Sequence, residues 1–453
     1  DLICEGFHRE KYENAVPGHE EIELALVKLY EVTGEEKYLS MAKDFVERRG
    51  TKPNYLEEES GKDWYVDVWH DANPYHPPYG QAHLPVRQQK TAEGHAVRAV
   101  YLYCAMADLA FFSQDKSLFD ACETLYKNIV EKRMYITGGI GSSGILERFT
   151  TDYDLPNASN YAESCASIGL ALFCRRMAQI TGDAKYIETM ETALMNTVLA
   201  GIAMDGKSFF YVNPLEVWPN ACMEKTSMEH VKPVRQKWFG CACCPPNIAR
   251  TLASLGEYIC FTGEDSLWIN LLAGAEISTE LKGKKVNIKM DSSMPWEGKI
   301  RLQISAKETA EGSLYIRVPE YARNPIFTLD GKKAVPGIEK GYAHFKEDWK
   351  NQVITLEFSM EAHFAYANPN VRADVGKAAV VKGPLVYCLE EADNGENLSG
   401  IFVDVKEGLK ENFREDLLGG AMEITARGKR VVKKDWEKES LYRLAPVELE
   451  ETR

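Results

Sequence analysis

The run Gly240-Cys241-Ala242-Cys243-Cys244-Pro245-Pro246-Asn247 places three cysteines in four residues, directly ahead of two prolines. Apolar residues then recur at helical spacing, at Ile248, Leu252, Leu255 and Ile259. Proline is favoured in the first turn of a helix, where its missing N–H is not needed. Cys243 and Cys244 therefore fall at or just before a helix N-terminus. Unpaired N–H groups and the helix dipole at that end stabilise a thiolate. A disulfide between adjacent cysteines strains the peptide that joins them. The cluster fits a thiolate centre that binds metal, reacts, or does both; the plain alternative is three cysteines packed as small apolar side chains.

Other polar residues stand at similar places. The first half of the chain repeats a helix, a short turn and a second helix about every 70–80 residues, as helical arrays do. Gly18-His19-Glu20 precedes an apolar helix from Ile22 to Val32, and Gly94-His95 opens another through Leu109. Glu163-Ser164-Cys165 opens a third, and Pro245 a fourth. The leading helix of each pair is apolar almost throughout, as in Ala166-Ser167-Ile168-Gly169-Leu170-Ala171-Leu172-Phe173, which predicts burial on most sides. The partner helix is amphipathic. Buried inner helices with amphipathic outer ones describe an α/α toroid, whose inner-helix N-termini share one face. His19, His95, Glu163 and Cys244 would then converge, although helix capping accounts for any one of them alone.

Two long linkers feed that face. Trp64 to His83 carries His70, His76 and His83 among Trp69, Tyr75 and Tyr79; Gly138 to Tyr161 carries Glu147, Asp152 and Asp154. Long loops at the mouth of a scaffold usually carry function. The histidine spacings match no metal pattern, so substrate-lining or structural roles are expected for them.

From Leu267 on, the pattern changes to period two. Leu267–Leu272, Lys285–Met290, Lys299–Ile304, Ser313–Val318, Gln352–Phe358 and Ala378–Val381 read as strands separated by turns such as Leu329-Asp330-Gly331-Lys332. An antiparallel β-sandwich is expected. The tail from Ala426, with Lys429, Arg430, Lys433, Lys434 and Asp435, is charged and weakly patterned.

The totals bound the partners. A chain of 453 residues holds two or three domains. With a net charge of −14 and no basic cluster interleaved with aromatics, nucleic acid is an unsuitable partner. No apolar run reaches the length of a membrane span. The 11 cysteines are odd in number, and Cys104, Cys122, Cys174 and Cys260 lie in apolar helical patterns. That usage suits a reducing, cytoplasmic compartment rather than a disulfide framework.

Taken together, several runs resemble the β-L-arabinofuranosidases of glycoside hydrolase family 127. They are Thr151-Asp152-Tyr153-Asp154-Leu155-Pro156-Asn157, Tyr161-Ala162-Glu163-Ser164-Cys165-Ala166-Ser167, Phe209-Phe210-Tyr211-Val212-Asn213-Pro214-Leu215 and Trp238-Phe239-Gly240-Cys241-Ala242-Cys243-Cys244-Pro245. Pro17-Gly18-His19-Glu20-Glu21 and Gly94-His95-Ala96-Val97-Arg98-Ala99 match as well, and the resemblance covers nearly the whole chain. It implies a retaining hydrolase built as an (α/α)6-type barrel over residues 1–263, followed by β-sandwich domains over 264–453. It implies zinc held by Glu163, Cys165, Cys243 and Cys244, with Cys243 the nucleophile and Glu147 the acid/base. His19, His95 and Tyr211 fall where the family contacts the sugar. The partner would be a small oligosaccharide or glycan; a homodimer is left open.

Geometry adds a condition. Positions i and i+2 of a helix point roughly opposite ways, so Glu163 and Cys165 can share a metal only if Glu163 precedes the regular helix. Glu147, as a general acid, is expected to have a raised pKa. Fewer than six helical hairpins can be counted, so the barrel is expected to be truncated at its N-terminus. Two alternatives compete with the β-L-arabinofuranosidase reading: a catalytically silent zinc-containing carbohydrate-binding or structural fragment of such an enzyme, and a related hydrolase of another rare plant sugar. A thiol oxidoreductase would instead want Cys-x-x-Cys in a βαβ setting.

Overall fold

The computed structural model describes residues 1–9, 12–60, 76–432, 441–442, 444 and 446–452. Trp64, Trp69, His70, Tyr75, Lys433, Lys434 and Asp435 lie outside them. The first part is helical, and among the described residues its seven longer helices come mostly in pairs: α1 (Ile22–Thr33) with α2 (Glu36–Arg48), α3 (Ala96–Phe112) with α4 (Lys116–Asn128), α5 (Ser164–Thr181) with α6 (Lys185–Thr192), and α7 (Cys244–Ala253) alone. Helix α4 runs on through a π-turn at Ile129–Arg133, and α6 through one at Ala193–Val198.

Helices α3 and α5 form the centre. Leu102, Tyr103, Cys104, Ala105 and Met106 of the one, and Ile168, Leu170, Phe173 and Cys174 of the other, are fully shielded from water. Their lack of a polar face leaves no solvated side, so both are covered all round. Desolvation pushes the Cys104 thiol up to about 12 and raises Cys122 and Cys174 too, which makes these thiols packing groups. The expected burial does not extend to every leading helix. On α1, Leu29 and Val32 are 41% and 85% exposed, because α1 packs on α2 and α3 along one side only.

The strands that follow form two facing sheets. In one, Cys260–Thr262, Ser266–Ile269, Ala310–Arg317, Tyr342–Trp349 and Gly337–Glu339 are neighbours in that order. In the other the order is Ala275–Leu281, Lys284–Ser292, Gly298–Ala306, Val353–Ser359, Arg323–Leu329 and Lys332–Ala334. Alternation sets the faces: Val286, Ile288 and Met290 point inward, as do Ile300, Leu302 and Ile304 opposite them, against Leu314, Ile316 and Trp349. One pair departs from the antiparallel expectation. Ser266–Ile269 runs parallel to Ala310–Arg317, because the chain between them crosses to the other sheet for three strands and returns in the same direction. Small sheets complete the chain, including Ile401–Val403, Gly428–Val431 and Leu449–Thr452; the last two lie in the tail that reads as weakly patterned. Among the described residues no helix is long and apolar enough to cross a membrane.

Arg317 joins the two halves. It is fully buried at the end of its strand, with Nη1 2.9 Å from Glu188 and Nη2 on Glu191, both on α6. Its Nε donates to the Asn270 carbonyl at 2.6 Å, Tyr321 donates to Glu191 at 3.0 Å, and Tyr342 donates to Asn270 at 2.7 Å. Burial pushes the Glu188 carboxyl up to about 7, with the Arg317 charge pulling the other way. Removing the guanidinium would strand two buried carboxyls. Arg317→Met is therefore expected to cost about 3–5 kcal/mol, read as a lower urea midpoint; an unchanged midpoint would show that the pairing is not what holds the halves together.

Candidate metal and catalytic site

Four side chains converge at the starts of α5 and α7. Glu163 has extended backbone, φ −61° and ψ 139°, immediately before α5. It therefore meets the condition for reaching the same point as Cys165 two residues on. Cys243 caps α7 and Cys244 is its first residue, with Pro245 and Pro246 in the first turn. The Cys165 and Cys244 sulfurs are 3.4 Å apart, those of Cys243 and Cys244 3.8 Å. Glu163 Oε1 lies 3.4 Å from the Cys243 sulfur and 3.6 Å from that of Cys244. All eleven cysteines are free.

These separations fit a tetrahedral metal. With metal–sulfur bonds of about 2.3 Å and a metal–oxygen bond of about 2.0 Å, tetrahedral edges come to about 3.8 Å for S···S and about 3.5 Å for S···O. The set is three soft thiol donors and one carboxylate, almost wholly buried. Without a cation the group is costly: burial, then the Cys243 charge, raises Glu163 well above its ordinary value. The Cys165 and Cys244 thiols turn toward Cys243 and, with the Tyr211 hydroxyl, pull its thiol down while their own go up. The cluster could bind a metal ion through Glu163, Cys165, Cys243 and Cys244.

Tyr211 arrives from a segment laid antiparallel to Glu163. Glu163 pairs with Val212, Ser164 N donates to the Tyr211 carbonyl at 2.9 Å, and Asn213 donates to the Ala162 carbonyl at 2.9 Å. That pinning sets the Tyr211 hydroxyl 2.9 Å from the Cys243 sulfur. One turn further along α7, Asn247 and Arg250 each donate to the Tyr101 hydroxyl of α3 at 2.9 Å. The cysteine-bearing helix is thus docked by polar contacts as well as apolar ones. Asn247, Arg250 and Tyr101 are absent from the sequence-derived set; the spacing of Asn247 and Arg250, three apart behind the prolines, was their only signal.

Glu147 faces this cluster from the 138–161 loop. His95 Nε2 is 2.8 Å from Oε2, and the Tyr161 hydroxyl donates to Oε1 at 3.0 Å. The Arg98 backbone N–H points at His95 Nδ1 over a long 3.5 Å, so the ring is held at one nitrogen by the start of α3 and at the other by the carboxylate. Oxygen and nitrogen atoms of His95, Glu147 and Glu163 lie within 4.8 Å of one another, so acid and thiol groups meet at Glu163. Gly94, just before His95, lets the Pro77–Gly80 turn approach closely: it holds φ +72°, and a Cβ there would lie 1.9 Å from the Pro78 carbonyl oxygen.

The direction of the Glu147 shift corrects the expectation of a raised pKa. Burial does push the carboxyl up, but the hydrogen bond and charge of His95 and the Tyr161 hydroxyl outweigh it and hold it below its ordinary value. His19 completes the mouth, its ring 6.1 Å from that of His95 and 6.2 Å from Tyr101. Of the loop histidines, His76 accepts from Arg148 at 3.1 Å, and burial lowers the His83 pKa. Asp152 is bound to Arg133 at 2.7 Å and Asn128 at 3.0 Å, a structural role.

Residues 1–257 match the β-L-arabinofuranosidase GH127 catalytic domain, 266–360 its middle domain, and 362–441 the glycoside hydrolase family 127 C-terminal domain. The chain belongs to glycoside hydrolase family 127. A relative from Bifidobacterium longum subsp. longum, a non-reducing end β-L-arabinofuranosidase, is 39% identical over 411 residues, 89% of this chain and 62% of that protein. The chain thus spans less than two thirds of that relative's length. A GH127 β-L-arabinofuranosidase from Geobacillus stearothermophilus T6 superposes on all of this chain with a TM-score of 0.93 at 45% identity, with 71% of that chain covered. Another solved GH127 β-arabinofuranosidase reaches 0.84 at 33% identity, covering 99% of this chain and 68% of its own.

His19 tests the charge balance at the mouth. Although His19 is exposed by surface area, desolvation at the mouth, then the Arg98 and His95 charges, lower its pKa to about 4. Arg98→Ala removes a positive neighbour, so the NMR titration midpoint of His19 is expected to rise toward 6.5. The sign for stability follows: a ring kept neutral in the fold contributes stability above about 6.5 that is lost as pH falls through about 4. A midpoint left unmoved by Arg98→Ala would remove Arg98 from the account.

Proposed function

We propose that this chain is a retaining β-L-arabinofuranosidase acting on the non-reducing ends of small oligosaccharides or glycans. The observation that carries the reading is the meeting of a thiol cluster with a hydrogen-bonded carboxylate, Cys243 and Glu147, on a family 127 scaffold. The relatives' names supply the sugar. On this reading residues 1–263 are part of an (α/α)6-type barrel and the rest are β-sandwich domains.

Glycosidases commonly place an acid on the leaving-group side and a nucleophile opposite. Here Cys243 attacks the anomeric carbon while Glu147 gives its proton to the leaving oxygen. The C–O bond breaks and an S-glycosyl enzyme forms. Water then attacks that carbon, Glu147 takes its proton, and the Cys243 sulfur leaves with both bonding electrons. Two inversions retain configuration. Tyr211, 2.9 Å from the sulfur, steadies its negative charge. In the free site Glu147 is held ionised by His95 and Tyr161, ready for the second step; a bound sugar strips water from the carboxyl and raises its pKa toward what the first step needs. His19 and His95 contact the sugar hydroxyls.

Glu163, Cys165, Cys243 and Cys244 would hold zinc, which keeps bound thiols deprotonated near neutral pH. One zinc per chain is expected in protein purified without chelators, and Cys244→Ala should lower both zinc content and the thermal midpoint. Elemental analysis finding none in the parent chain would reject that ligand set.

Turnover of β-L-arabinofuranosides tests the roles. Glu147→Gln should slow substrates with poor leaving groups by about 100-fold or more and activated aryl glycosides far less. Cys243→Ala should abolish both with the helical fold retained. A parent chain that binds zinc and sugar but turns over neither substrate would favour the silent glycan-binding reading.

A further inference from the structure

We propose that His230 is a positioning residue that clamps the loop carrying Glu147 against the segment carrying Tyr161. The role rests on Glu147 being the acid/base.

Glu147 and its predecessor are in an unfavourable conformation. Leu146 has φ 60° and Glu147 φ 50°, left-handed backbone that side chains other than glycine seldom adopt. Such a conformation persists where its surroundings fix it. Part of the fixing is local: Ser143 and Arg148 exchange backbone hydrogen bonds at 3.2 and 3.1 Å, and Phe149 N donates to the Gly94 carbonyl at 2.9 Å. These tie down the base of the loop, while its crown, Gly144 to Glu147, has locally only the Ile145 N–H on Ser143 Oγ at 3.1 Å and a long 3.5 Å bond from Glu147 N to the Gly144 carbonyl.

His230 lies against that crown. It comes from the long 213–243 segment, remote in sequence from both partners. A Cβ on Gly144 would lie 2.7 Å from His230 Nδ1 and 2.8 Å from Cε1, so the ring sits in the space a side chain would fill. Gly144 has φ −70°, which any residue adopts; it is the approach of the ring that requires glycine. The opposite nitrogen, Nε2, donates to the Asn160 carbonyl at 2.8 Å. The ring also packs on Tyr161, centroids 5.5 Å apart. One imidazole thus touches Gly144, three residues before Glu147, and both Asn160 and Tyr161. Glu147 and Tyr161 are the two ends of the 3.0 Å hydrogen bond that holds Oε1. By spanning the two backbones, His230 fixes the length and direction of that bond without touching the carboxyl itself.

Two variants open the clamp differently. His230→Ala removes the ring, and Gly144→Ala pushes it away; His230→Gln keeps a donor for the Asn160 carbonyl. Hydrogen exchange on the whole chain reads the loop with no substrate present. Exchange at the Ser143 and Arg148 amides should rise about tenfold in both alanine variants, with Ser164 and Asn247, beside the thiol cluster, unchanged. Kinetics read the chemistry: kcat on a poor leaving group should fall about tenfold with KM little changed, activated aryl glycosides should lose less than about threefold, and His230→Gln should recover most of the loss. Equal loss on both substrates, a change in KM alone, or faster exchange that spreads to Ser164 and Asn247 would overturn the proposal. So would unchanged exchange. If Glu147→Gln shows no leaving-group dependence, the acid/base assignment of Glu147 fails, and the clamp stands or falls on exchange at Ser143 and Arg148.

Discussion

The site depends on one constraint: a carboxylate and three thiols are packed into a volume with almost no water. Isolated, each would resist burial in its charged form. Together they are tolerable only with a shared positive charge or with protons distributed among them, and their spacing matches the edges of a tetrahedron about a metal. The surrounding structure secures that spacing. Helix α5 ends its regular winding one residue short of Glu163, Pro245 and Pro246 begin α7 at Cys244, and the Phe209–Asn213 segment is hydrogen-bonded alongside.

Glu147 is held by opposing forces. Desolvation favours its neutral form, while His95 and Tyr161 favour the anion. A carboxyl poised this way responds to small changes in hydration or in either donor. On the proposed mechanism, that sensitivity suits a group that acts as an acid in one step and a base in the next. It also explains why the loop that carries it is anchored at both its base and its crown.

Much of this was legible in the sequence because it rests on local rules. Proline after cysteine placed the thiols at a helix start, and the need for Glu163 to precede its helix followed from 3.6-residue periodicity. Period two located five of the eleven strands in the two facing sheets, with ends within a few residues of those observed; Ala378–Val381 falls instead in a separate small sheet, and Ala275–Leu281, Arg323–Leu329 and Tyr342–Trp349 went unread. What local rules miss is decided by partners distant in the chain. The direction of the Glu147 shift depends on His95 and Tyr161, 52 and 14 residues away. The exposure of Leu29 and Val32 depends on which neighbours α1 has. The parallel strand pair depends on a crossover. Arg317 reads as an ordinary strand charge until α6 supplies its two glutamates.

The core cysteines have a consequence of their own. A chain with eleven free thiols looks vulnerable to every electrophile and oxidant. Yet Cys104, Cys122 and Cys174 are sealed between α3, α4 and α5 with their pKa values raised, and neutral, inaccessible thiols are poor nucleophiles. The fold sorts its sulfur by environment: the same atom that fills space in the core is inert there, whereas at the start of α7 Cys243 is partly accessible with its pKa lowered. Sulfur abundance and chemical selectivity therefore coexist in one chain without a single disulfide to separate them.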